Sequence, residues 1–212
     1  MIKIELTKNY NGITLSGSYS DLSCLYESIS HFIKEEKTKE LDSKVKIMND
    51  YIYSFLYDLR KTYEGKREVL KDDSEVIIYK NNFNMIEVFT LIAITNGYLN
   101  IYNTHINSYY HYYMTFVSLF IEGISSFITL KLKKQINETI NDYVIMPYTY
   151  NENYFRYHEL CYINKKTPNL KKRYLSEFYN NVLSNISKTK TQLNNIFSVY
   201  LTSYVIDENI EW

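Results

Sequence analysis

The longest apolar run in the chain is YYHYYMTFVSLFIEGISSFITLKLKK, from Tyr109 to Lys134, and whatever else forms must bury it. Its apolar residues Tyr113, Phe116, Val117, Phe120, Ile121, Ile124, Phe127 and Ile128 recur at helical spacing. Ser118, Glu122, Ser125, Ser126, Thr129 and Lys133 form a separate polar stripe. A membrane span would be apolar all round. Glu122, in the middle, would cost roughly 2–3 kcal/mol or more in lipid. The expectation is a core helix of a soluble protein that does not enter the membrane.

The chain has 212 residues, enough for one sizeable core. Its 24 basic and 24 acidic side chains balance, so no global attraction to nucleic acid or to an anionic membrane follows. Tyrosine is abundant at 24 residues, a bias that an AT-rich coding sequence also produces. Cys24 and Cys161 make no disulfide framework and no CxxC pair. Cys24 is expected on the first helix and Cys161 in a loop, both as thiols. MIKIELTKNY lacks the pattern of a signal peptide, so a cytoplasmic location is expected.

Ile2, Ile4 and Leu6 alternate with Lys3, Glu5 and Thr7, as in a half-buried strand. Asn11-Gly12 then signals a turn, and residues 2–17 read as a hairpin. Ser20 or Asp21 is expected to cap a helix carrying Leu22, Leu25, Tyr26, Ile29, Phe32 and Ile33. After the charged run 34–42, a second helix carries Val45, Met48, Ile52, Phe55, Leu56, Leu59 and Tyr63, and Gly65 ends it in the left-handed region. Glu68–Leu70 and Val76–Tyr79 read as a second hairpin that completes a small antiparallel sheet. Asn84 caps the next helix, which Glu87 and Asn96 interrupt. Residues 142–167 lack periodicity and read as a long connection. Thr167-Pro168 starts a helix whose apolar stripe runs to Tyr204, with a weak middle at 187–191. The expected fold is α+β: one domain over residues 1–212, with an N-terminal sheet, an α-rich C-terminal half, and residues 168–212 as a helical arm.

Three patches, NYNGITLSGSYSDLSCLYESI (9–29), SFLYDLRKTYEGKREV (54–69) and EVIIYKNNFNMIEVFTLIAI (75–94), resemble a family of small bacterial proteins that carry a domain of unknown function. The motif Y-D-L-R-x-x-Y-x-G-x-R-E is the most specific. Asn84-Met85 stands where the family commonly has a tryptophan. The resemblance covers the first half of the chain. It implies an α+β cytoplasmic protein and brings no activity with it.

The polar cluster in YDLRKTYEGKRE offers Asp58, Arg60, Arg67 and Glu68 at a helix-to-strand corner. Two guanidinium forks suit an anion or a partner's carboxylate. Alternatively, Asp58 and Glu68 pair with the two arginines and staple the corner. Magnesium bound through Asp58, Glu64 and Glu68 is opposed by those arginines. The histidines His31, His105, His111 and His158 lack zinc spacing. His158 and Cys161 would form a thiol–imidazole pair only on a helix. No phosphate-binding glycine loop or nucleophile elbow is present. Catalytic residues, metal and cofactor are therefore each assigned as none.

Lys165, Lys166, Lys171, Lys172 and Arg173, continuing to Lys188 and Lys190, form a basic patch interleaved with tyrosines. Such a patch suits a nucleic-acid backbone, although in a chain of balanced charge it is more simply the pattern of a solvated helix start. Taken together, the residues favour a non-catalytic interaction protein that self-associates or binds a protein partner through amphipathic helices. The alternatives are a nucleic-acid-directed protein using residues 165–190 and an enzyme with its site at Asp58, Arg60, Arg67 and Glu68.

Overall fold

The computed structural model describes residues 1–33, 43–71, 76–102, 108–134 and 152–180. The expected α+β architecture is present. Strands β1 (Lys3–Leu6), β2 (Gly12–Gly17), β3 (Glu68–Lys71) and β4 (Ile77–Asn84) form one antiparallel sheet in the order β1-β2-β4-β3. Its register pairs Ile4 with Leu15, Leu6 with Ile13, Ile13 with Phe83 and Val69 with Tyr79. These residues share one face because opposite partners point the same way.

The first hairpin forms as expected, but its glycine has a different task. Tyr10, not Gly12, takes the left-handed conformation, at φ 56°. Gly12 lies against β4, where a Cβ would come 1.8 Å from the Phe83 carbonyl oxygen. Only glycine lets the two strands pair there. The second hairpin is also longer than the sequence indicates, since β4 runs to Asn84 and passes directly into a helix.

Helix α1 (Tyr19–Phe32) is capped by Ser18, two residues before Ser20 and three before Asp21. Asp21 occupies the third helical position and returns a carboxylate to the Ser18 amide at 3.0 Å, closing a capping box. Helix α2 (Ser43–Lys61) runs into a π-turn (Thr62–Lys66), where Gly65 takes φ 74° as expected. Asn84 caps helix α3 (Met85–Tyr102), accepting from the Ile86 amide at 2.8 Å. Residues 83–96 are buried without interruption, so among the described residues this part of α3, rather than the 109–134 run, is the most enclosed stretch. It packs on α1, α2, β2, β4 and the later helix Glu152–Ile163.

Helix α4 (Ser108–Gly123) contains only the first part of the long apolar run. It stops at Gly123, where a Cβ would meet the Ile4 carbonyl oxygen at 2.8 Å. Ile124 and Phe127 remain buried in the turn that follows, and a short helical piece occupies 130–134. The Tyr112 hydroxyl donates to the Asp21 carbonyl at 3.0 Å, tying α4 to α1.

The expected connection 142–167 contains helix α5 (Glu152–Ile163), which places Cys161 on a helix. Its apolar pattern is sparse because it buries charged groups, as described below. Helix α6 (Pro168–Phe178) starts as read, with Thr167 as cap and Pro168 at the first position. Its Leu175 and Phe178 are buried, and Phe178 packs on His158 of α5 at 4.9 Å. The expected continuation to Tyr204, including Lys188 and Lys190, lies outside the described residues. Among the described residues, no helix is long and apolar enough to cross a membrane.

Candidate functional site

The corner identified in the sequence forms, but its charges pair differently from the expected double staple. Arg67 Nη2 donates to Asp58 Oδ1 at 2.6 Å, across the π-turn. Arg60 Nε instead lies 3.6 Å from Glu64 Oε1, and Glu68 receives Lys80 at 3.4 Å across the sheet. Arg60 and Arg67 thus each have their own carboxylate rather than a shared anion. Lys66 also reaches Glu64 at 3.0 Å, and the Lys66 bond holds that carboxyl below its ordinary range. All of these pairs are at least partly exposed, where an ion pair contributes about 0–1 kcal/mol.

The corner positions a strand. From Gly65 the chain enters β3 at the end of the sheet, and all four residues of β3 are exposed. Val69 and Leu70 are 46% and 45% exposed, and Val76 and Ile77 beside them are each 44%. The opposite edge differs: β1 packs against α4, whose terminal Gly123 sits against the Ile4 backbone. One edge of the sheet is partly covered by α4, and the other, exposed at all four residues, presents aliphatic side chains.

The basic patch does not form a continuous surface. Lys172 lies over the Phe127 ring at 5.3 Å, and Arg173 pairs with Glu177 at 2.8 Å. Lys165, Lys166 and Lys171 instead converge on a cleft of about 310 Å³, joined by Lys8 from the first hairpin loop. Lys171 is buried on this cleft, donating to the Asn9 carbonyl at 2.8 Å and to Asn11 Oδ1. Burial pulls its pKa below the ordinary lysine value. The Tyr162 hydroxyl donates to the Tyr10 carbonyl at 2.6 Å, fixing the loop to α5.

A third cluster joins α2, α3 and α5, and the sequence reading missed it. Tyr51 Oη donates to Glu159 Oε1 at 2.5 Å. Arg156 donates to Glu159 Oε2 at 3.1 Å and to Ser54 Oγ at 2.7 Å. Glu87, also buried, is pushed up to about 8, first by burial and then by the Glu159 carboxylate. Burial also opposes ionisation of Arg156, but Glu159, Glu87 and Tyr51 outweigh it and hold the guanidinium above its ordinary value. The Asn84-x-x-Glu87 spacing was the available signal, since an acid three residues after a cap binds the cap's amide. The Asn84 backbone makes that bond to Glu87.

His158 and Cys161 do fall one turn apart on α5. However, His158 Nδ1 is engaged by the Tyr174 hydroxyl at 2.6 Å, and burial lowers its pKa to about 4. Among the described residues, no group of three or more His, Cys, Asp or Glu side chains is placed to hold a metal ion.

The fold and these sites define an α+β protein with one open sheet edge and a separate basic cleft. The chain belongs to the family described as a domain of unknown function, DUF6904, which matches residues 2–204. The match extends well past the first half of the chain, where the sequence motifs were found. No curated protein and no solved structure matches it.

Proposed function

We propose that this is a non-catalytic, cytoplasmic interaction protein whose β3 edge pairs with the β3 edge of a second copy. The observation that carries this reading is the contrast between the two edges, since an exposed aliphatic edge strand invites a further strand. Antiparallel self-pairing sets the Glu68 end of one strand beside the Lys71 end of the other, so charges of opposite sign meet at both ends. The Asp58–Arg67 bond holds the start of the strand in place and lowers the ordering cost of docking. Two free thiols suit a reducing compartment.

The site differs from the amphipathic-helix surface expected from the sequence, because the described apolar face of α6 is used internally. The nucleic-acid alternative retains Lys166, while Lys165 and Lys172 lie over rings and Arg173 pairs with Glu177. The enzymatic alternative at Asp58, Arg60, Arg67 and Glu68 would have to act through charges that already pair, Asp58 with Arg67 and Glu68 with Lys80.

Amide hydrogen exchange at low and high protein concentration tests the reading. Residues 68–71 should become protected as concentration rises, whereas β1 should not change. Unchanged fast exchange in 68–71 at every concentration would sink it.

A further inference from the structure

We propose that the cleft between the first hairpin loop and the start of α6 is a binding site for a phosphate monoester group. This site is separate from the β3 edge and does not depend on it.

Four lysines, Lys8, Lys165, Lys166 and Lys171, line a cleft whose described lining contains no carboxylate. In a chain of zero net charge this is a local excess of four positive charges. Ammonium groups gathered around a concave, partly dry wall repel one another, and a bound dianion relieves that repulsion. Lysine acts as a point charge suited to phosphate, whereas a planar carboxylate is better matched by an arginine fork. The first turn of α6, with Thr167 and Pro168, also lines the cleft and adds the positive end of a helix dipole.

The site is held in shape by contacts that precede any ligand. Lys171 ties α6 to Asn9 and Asn11, and Tyr162 ties α5 to Tyr10. Lys165 rests over the Tyr174 ring at 5.1 Å, which limits its swing. Lys8 and Lys166 are exposed at the mouth. The division of labour is a fixed cation on the wall and movable cations at the entrance.

The volume sets the ligand's size. About 310 Å³ is at the small end of ligand clefts, roughly 300–1,000 Å³. It accommodates one phosphate group with a compact substituent. A single-stranded nucleic acid needs a long groove with aromatic faces open for stacking. Here Tyr10 stacks on Phe127 at 4.9 Å, and Tyr174 packs against His158 and Tyr162, so these rings are already in use.

The test is calorimetric titration of the intact chain at low ionic strength with phenyl phosphate, phenyl sulfonate and a short oligonucleotide, with and without a 5′-phosphate. Phenyl phosphate should bind, and phenyl sulfonate, a monoanion, should bind at least roughly tenfold more weakly. Lys8→Ala and Lys166→Ala are exposed changes that leave the fold intact, and each should weaken phenyl phosphate binding roughly tenfold. The 5′-phosphorylated oligonucleotide binding where the 5′-hydroxyl form does not would identify a nucleic-acid end as the source of the group. Phenyl phosphate alone binding would identify a small molecule. Equal binding of both oligonucleotides with a steep salt dependence would overturn the proposal in favour of a polyanion surface. So would absence of phenyl phosphate binding, or binding indifferent to Lys8 and Lys166.

Discussion

Tyr51 and Glu159, 108 residues apart in sequence, are joined by a 2.5 Å hydrogen bond between α2 and α5, and both are buried. Around this bond Arg156 donates to Glu159, while the buried Glu87 feels the negative charge of Glu159 and, more weakly, of Asp58. One guanidinium cannot offset two buried negative charges, so Glu87 keeps its proton at neutral pH. The packing of α5 on the body therefore depends on proton occupancy as well as apolar contact.

Stability should fall as pH rises from about 6.5 to about 8. Glu87 has an ordinary value of 4.5 and titrates at about 8 in the folded chain, so the folded state holds a proton that the unfolded state has lost. Its contribution is complete below 4.5 and is lost as pH rises through 8, at up to about 1.4 kcal/mol per pH unit. His158, lowered from 6.5 to about 4, has the opposite slope between those values and partly cancels Glu87 there. Above 6.5 that opposing slope has ended. Urea unfolding of Glu87→Gln should show a flatter profile from pH 6.5 to 8 and a more stable protein at pH 8.

Removing one partner of the cluster should cost more than its net bond energy. Tyr51→Phe leaves Glu159 Oε1 without its Tyr51 donor and should cost about 1–3 kcal/mol. Arg156→Met leaves two buried acids without their cation and should cost about 3–5 kcal/mol at neutral pH. The Arg156→Met loss should shrink as pH is lowered and the carboxylate left without its cation is protonated, Glu87 being protonated already. A loss that does not change with pH would mean that Arg156 acts through packing alone.

The glycines rank by what surrounds them. At Gly12 a Cβ would lie 1.8 Å from the Phe83 carbonyl oxygen, which cannot move without breaking the β2–β4 pairing. At Gly65 there is space, with Tyr79 at 3.7 Å, and only the φ of 74° opposes a side chain. Gly65→Ala should cost about 1 kcal/mol, and Gly12→Ala should cost several times more. Thermal unfolding of both variants measures the ranking.

The corner pair should be weak in stability terms. Arg67→Ala exposes no buried charge, because both Arg67 and Asp58 are substantially exposed. The variant should fold with a loss of about 1 kcal/mol or less. Its effect should fall on self-association, through the position of β3. A loss of several kcal/mol in urea unfolding would instead make the corner a structural staple.

Local signals in the sequence located the hairpins, the Gly65 turn, and the Asn84 and Thr167 caps, because each rests on neighbouring residues. What escaped depended on distant partners. Glu87 looks like an interruption of an apolar helix until Arg156 and Glu159 arrive from the other end of the chain. Helix α5 looks like a loop because its buried residues set the carboxylate of Glu159 beside Tyr162, so apolar periodicity does not reveal it. Lys8 and Lys171, separated by 163 positions, meet only through the packing of α6 on the first hairpin loop. The open edge at β3 required knowing that β4, not β3, pairs with β2.

Sedimentation equilibrium of the intact chain, beside Leu70→Lys, tests self-association through β3 most directly. Leu70 is exposed at the sheet edge, so the lysine should leave the monomer's fold unchanged while setting a charge against the partner's Val69, which Leu70 faces when Glu68 meets Lys71. The wild-type chain should show a reversible dimer at micromolar concentration, and Leu70→Lys a monomer with unaltered unfolding. A wild-type chain that remains monomeric over the whole concentration range, or a dimer indifferent to Leu70→Lys, would contradict the account.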